Sequence, residues 1–338
     1  MTVHLISVGL SIRDALADPA QKLDARPELM SAVYRERPHE LFEVEGVGDD
    51  RDAASAWLAG ALAAEGEPGR DPASAARLAE LAAAVRPDLW PQDMSAETAT
   101  FGGASGTGFP LRSRDIAVLI CSDTARGLLA GMWNALALTE ADPARIRYLP
   151  EPDGQLGDIR GRAVLARVRH MDAGNEKGFR QAMAGLGRLG RHIFESGQLD
   201  KGEEFRFHLS GGFKAAVPYL IGLAESIRSV DAKCLSELHA SHLMPDHGVY
   251  PVAAFVLHET AGPKAPPIRL PLRRLDAEAV RYELSGFRNG RRVGKPDGAL
   301  LLGYAYELAG DSKTEYELTP FGTGLQALFG ILPEGYAG

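Results

Sequence analysis

The chain has 338 residues, 45% hydrophobic and 24% charged, values ordinary for a folded globular protein that exclude bulk disorder and a collagen-like fibre. Against 37 Lys and Arg stand 45 Asp and Glu, a net charge of −8, which disfavours broad, salt-driven binding of duplex DNA but allows a small anion held by local groups. The two cysteines, Cys121 and Cys234, are too few for a disulfide framework or, by themselves, a zinc site.

In chain order, VHLISVG (3–9) reads as a buried strand ending in glycine, followed by a turn with Ser11 near its apex. A strand that stops at Gly-x-Ser is typical of the ligand-binding edge of a parallel sheet, though an ordinary first strand reads the same way. Residues 27–37, 53–65 and 72–85 carry helical patterns, the last Ala/Leu-rich. FGGASGTG (Phe101 to Gly108) lacks the lysine and following helix of a P-loop and is expected to be a surface loop. DIAVLIC (115–121) is the clearest strand, and GLLAGMWNALAL (127–138) the helix after it. Ser122, Asp123 and Thr124 between them either cap that helix or face a ligand.

AVLARVR (163–169) is a further strand, and 176–196 a helix with Phe179, Met183, Leu186 and Leu189 on a core stripe. FRFHL (205–209) alternates into a strand that runs into Ser210, Gly211, Gly212, Phe213 and Lys214 and then a helix. VAAFVLH (252–258) reads as a buried strand, and PIRLPLRRL (267–275) as an edge-like one with Pro271 inside it. Residues 284–300 are Gly- and Arg-rich and read as a loop or boundary. KTEYELTPFGTGLQALFG (313–330) reads as a short strand, a Thr-Pro helix start and a short helix. Strands alternating with helices argue an α/β fold with a parallel, doubly wound sheet; the family resemblance given below implies its Rossmann-like, mostly parallel form.

Three strand ends therefore finish in small hydroxyl or glycine residues: Gly9 with Ser11, Ser122 to Thr124, and Ser210 to Lys214. If the strands are neighbours, these ends share one edge, where small residues let a ligand reach backbone N–H groups. Lys214 is the one lysine among them. In a helix's first turn it opposes the dipole unless an anion is present, so this group suits phosphate, whereas a solvated helix-start lysine is the plain alternative. His4 and His208 lie on strands where alternation buries them as structural residues.

HLSGGFKAAVPYL (208–220) resembles the signature of CARF domains, the CRISPR-associated Rossmann folds of type III CRISPR systems. SVGLS (7–11), LICSDTARG (119–127), SAETA (Ser95 to Ala99) and the run 253–275 are similar to further segments of that family in the same order. The resemblance covers about 1–275 and implies a CARF domain over 1–280 with a small C-terminal module over 281–338. It implies a homodimer binding one cyclic oligoadenylate, cyclic tetra-adenylate being the commoner ring. Gly9, Leu10 and Ser11 would line the ring, Ser210, Gly211, Gly212 and Lys214 would hold phosphates, Phe213 would be a further ligand-binding residue, and Ser122, Asp123 and Thr124 would have a supporting role. Some members are ring nucleases. Their implied chemistry needs no metal and no cofactor: a ribose 2′-OH attacks the adjacent phosphate and leaves a 2′,3′-cyclic phosphate, with Ser11 and Lys214 as the catalytic candidates and slow turnover expected. The alternative is a non-enzymatic sensor controlling a C-terminal effector, transcription or a partner protein.

YELTPFGTGLQALFG resembles the closing wing strand and helix of winged-helix modules. With Arg288, Arg291, Arg292 and Lys295 upstream, a nucleic-acid contact and a dimer-stabilising or lid module both stay open. No membrane partner is expected. MTVHLISVGLSIRD lacks a signal-peptide pattern, and no apolar stretch approaches the ~20 residues of a membrane helix, which makes a cytoplasmic location the expectation.

Overall fold

The computed structural model describes residues 1–12, 40, 43–84, 95–104, 109–152, 154, 156–171, 174–195, 203–212, 216–229, 251–257 and 266–331. The expected helix at 27–37, together with Phe213, Lys214 and Cys234, lies outside them.

Six consecutive buried residues, Ile116–Cys121, form β2. A continuous apolar run of this kind suits a strand covered on both faces, as parallel central strands are. β1 (Thr2–Ser7) pairs with it in parallel, Val3 opposite Ile116 through Ser7 opposite Ile120. On the other side β2 pairs in parallel with β4 (Ala163–Arg167), which pairs in parallel with the four-residue β3 (Ile146–Leu149). β5 (Glu204–His208), β6 (Val252–Val256) and β7 (Ile268–Leu270) complete a seven-stranded sheet in the order β3-β4-β2-β1-β5-β6-β7. Only three residues of the expected strand 267–275 are β, antiparallel to β6. Pro271, which has no N–H to give the ladder, ends it. The protein is thus α/β, with a mostly parallel sheet flanked by helices in a Rossmann-like arrangement.

The chain divides into two compact units, 1–167 with 206–214 and 254–270, and 168–205 with 215–253 and 271–338. The first unit carries helices α1 (Arg51–Leu62), α2 (Pro72–Ala84), α3 (Ala96–Gly103) and α4 (Ala125–Leu138). Leu58, Leu78, Phe101, Leu119, Leu128, Trp133 and Leu165 share one buried core there, each large side chain contributing roughly 1.5–3 kcal/mol. The loop expected at Phe101–Gly108 is corrected in part. Phe101 to Gly103 are helical, because Ser95 and Thr98 form a reciprocal capping box that fixes where α3 starts.

In the second unit α5 (Glu176–Glu195) packs on α8 (Pro320–Leu328) at very close range: a Cβ on Gly187 would lie 2.1 Å from the Gly324 carbonyl oxygen. Helix α6 (Val217–Ser229) meets α8 where Gly222 leaves space for the Phe321 ring. Helix α7 (Ala277–Leu284) precedes a three-stranded antiparallel sheet of β8 (Arg291–Val293), β9 (Tyr306–Leu308) and β10 (Glu315–Leu318), ordered β8-β10-β9. β8 falls within the stretch read as a loop. Two buried carboxylates brace this unit. Glu225 accepts from Arg273 and from the Tyr304 hydroxyl, and Glu283 from the Leu300 and Leu301 N–H groups and the Tyr306 hydroxyl.

Candidate ligand-binding edge of the sheet

The carboxyl ends of β2, β1 and β5 are consecutive in the sheet, so the condition for one shared edge is met. The ends of β1 and β5 are tied directly: Ser7 Oγ donates to the carbonyls of Gly211 (2.6 Å) and His208 (3.2 Å). The turns beyond them touch backbone to backbone. A Cβ on Gly9 would sit 2.6 Å from Gly212 N, and Gly212 has φ +90°, a conformation that favours glycine. Gly9, Ser11, Gly211 and Gly212 are therefore brought together, with Leu10 41% exposed beside them.

Glu97, on the first turn of α3, is the residue that sequence reasoning left out of the site. Its side chain is buried, at 2% exposure. Oε1 accepts from the Gly9 N–H at 2.5 Å and Oε2 from the Ser11 hydroxyl at 2.7 Å. Ser11 Oγ in turn accepts from Ala96 N–H at 3.1 Å. Ser210 is held from the same helix: Thr100 Oγ1 lies 2.5 Å from its Oγ, which also accepts from Leu257 N–H at 2.7 Å. The signal that pointed to Glu97 was the Ser-x-x-Thr cap around it, which puts a carboxylate in the first helical turn.

Ser122, Asp123 and Thr124 do not join this group through any described hydrogen bond. Thr124 is the N-cap of α4, accepting from Gly127 N–H at 3.0 Å, so the capping alternative describes it. Ser122 Oγ is 3.3 Å from Thr124 Oγ1. Asp123 is buried against Arg167, whose Nε donates to it at 2.7 Å, and it also pairs with Arg51 at 3.2 Å. Arg167 reaches Asp52 at 2.7 Å. This network ties the ends of β2 and β4 to α1.

Below the edge, His4 and His208 are buried between Phe101 and Phe255. Burial holds His4 well below the ordinary imidazole range, with His208, Arg206 and Arg112 adding to the effect. Burial likewise lowers His208 to about 3, against a smaller opposing pull from the Thr100 carbonyl. Neither reaches the turns as an acid or base at neutral pH. Cys121 is a free, buried thiol.

Of the C-terminal basic residues, Arg291 pairs with Glu315 (3.5 Å) and Glu317 (3.9 Å) across the small sheet. Arg292 lies against Gly286 and donates to the Glu283 carbonyl at 3.5 Å. A cavity of about 780 Å³ elsewhere in the first unit is lined by Glu40, Glu43, Glu45, Asp71, Trp57 and Arg77, a composition hostile to a polyanion. Among the described residues no three His, Cys, Asp or Glu side chains are grouped to hold a metal ion, and no helix is long and apolar enough to cross a membrane. Neither models of known protein families nor the curated proteins yielded a match to this chain.

Proposed function

We propose that the protein binds a cyclic oligoadenylate, with cyclic tetra-adenylate the first ring to try, across a homodimer at the β1–β5 edge. The observation that carries this reading is the meeting of Gly9, Ser11, Gly211 and Gly212 at neighbouring strand ends. Glycine there lets a phosphodiester approach backbone N–H groups that a side chain would cover. The resemblance of 208–220 to the CARF signature supplies the ligand class, and Lys214 the cation.

We further propose slow cleavage without metal, in which the 2′-OH attacks the adjacent phosphate, the bond to the next 5′-oxygen breaks, and linear product with a 2′,3′-cyclic phosphate leaves. Alignment by Ser11 and charge stabilisation by Lys214 would be the protein's share. One observation favours sensing without cleavage: the Ser11 hydroxyl already donates to Glu97 and accepts from Ala96 N–H.

The test is calorimetry of the full chain with cyclic tetra-adenylate in EDTA, followed by chromatography of the incubated ligand. Binding with linear product supports the nuclease, and binding with intact ligand the sensor. Absence of heat with rings of four and six adenylates overturns both.

A further inference from the structure

The donors that make this edge attractive to phosphate already have an occupant. Glu97 lays its carboxylate along the Gly211 backbone, where a Cβ would lie 2.1 Å from Oε1 and 2.6 Å from Cδ. It takes the Gly9 N–H at 2.5 Å and the Ser11 hydroxyl at 2.7 Å. A planar anion held by one backbone amide and one hydroxyl is the arrangement in which a phosphodiester's two free oxygens are recognised. These two donors to the buried carboxylate are both neutral. A second anion brought to the same atoms meets a like charge at a few ångströms in a site shielded from water, where repulsion is strong.

We propose that Glu97 is an internal stand-in for the ligand's phosphate, and that a phosphodiester binds only by displacing its carboxylate from Gly9 and Ser11. This rests on the phosphate-site reading above and specifies how that site is regulated. Displacement does not stay local. Glu97 is on α3, whose capping residue Ser95 donates to Asn134 of α4 at 2.7 Å and whose Thr100 holds Ser210. Expelling the carboxylate therefore loads the helix that braces both the β5 turn and α4, so occupancy is reported into the fold.

Glu97→Gln tests this, because the amide keeps the shape. Its oxygen still accepts from Gly9 N–H, and its NH₂ donates to the second lone pair of Ser11 Oγ. The full chain and the variant are titrated with inorganic phosphate and, separately, with cyclic tetra-adenylate, at one pH and ionic strength in EDTA. Removing the competing charge is expected to tighten binding of both probes by about tenfold or more. A Glu97 that is only a brace predicts equal or weaker binding in the variant, which overturns the proposal. Equal binding of the cyclic nucleotide by both proteins leaves the functional reading standing and removes this one. Tighter phosphate binding by the variant with no nucleotide binding by either protein does the reverse. Silence from both proteins with both probes removes both. Should the variant not fold, wild-type crystals soaked in phosphate decide. Phosphate on Gly9 N with Glu97 swung away supports displacement, and phosphate absent or bound with the Glu97 contact intact overturns it.

Discussion

His4 Nδ1 lies 3.0 Å from His208 Nε2 between neighbouring strands of the sheet, with both rings out of reach of water. The bond needs one ring as donor and the other as acceptor, which rules out only the doubly protonated pair; burial is what keeps both rings neutral. Both groups are held below the ordinary imidazole value in the folded state, His208 to about 3, mainly by burial. The unfolded chain takes up protons near pH 6.5 and the folded chain does not. The sign follows: stability is full above pH 6.5 and falls as pH drops from there toward 3.

Urea unfolding at pH 7.5, 6.5, 5.8 and 5.0 is therefore expected to lose stability below 6.5, by up to about 1.4 kcal/mol per pH unit for each histidine. His208→Phe should flatten the slope. A profile level from 7.5 to 5.0 in the wild type would count against the buried neutral pair.

Arg167 and Asp123 predict a second asymmetry. Arg167→Met removes the buried guanidinium from the buried Asp123 carboxylate and should cost about 3–5 kcal/mol. Asp123→Leu together with Arg167→Met should cost less than the two single changes summed, since neither charge is then stranded. Denaturant unfolding of the four proteins reads this directly, and strict additivity would refute it.

Cys121 should be chemically silent. Burial pushes its thiol up to about 12, and the Glu97 charge adds to that, so the nucleophilic thiolate is scarce at pH 8. Peptide mapping after iodoacetamide treatment is expected to find Cys121 unmodified in the folded protein and fully modified in 6 M guanidinium. Native modification at rates typical of free cysteine would contradict the burial.

The crossing of α5 and α8 rests on Gly187. Gly187→Ala drives a methyl into the Gly324 carbonyl at 2.1 Å and should destabilise by about 1–3 kcal/mol. Gly174→Ala, with nothing within 4 Å of the added carbon, is the control and should stay within about 0.5 kcal/mol. Equal midpoints for the two variants would mean that the crossing relaxes freely.

How far the sequence carries can be seen element by element. β2 is legible because six apolar residues in a row have no other economical explanation in a mixed α/β pattern, and α8 because Thr319 and Pro320 mark a helix start. β3 is not legible: it has four residues, two of them only half-buried, directly after a Pro-Ala-Arg turn. The helical Phe101–Gly103 is hidden by its glycines, whose local preference is overridden in a helix that the Ser95 cap starts. Of the site, the glycine-ended strands could be read along the chain, but their adjacency depends on strand order. The cap around Glu97 marks a carboxylate in a first helical turn, but not its place in the site, since a side chain 88 residues from Gly9 carries no local mark of the amide it will meet.

The strand order has a consequence for biosynthesis. β3, β4, β2 and β1 all lie within the first 167 residues, whereas β5, which covers the far side of β1, begins only at Glu204 and β6 at Val252. A nascent chain can zip four strands early, but it leaves the β1 flank unpaired while residues 168–203 are still being translated. That flank is a ready template for another copy's strand, and pairing so distant in sequence closes slowly. Yield in a heterologous host should depend on elongation speed and chaperone supply across that interval.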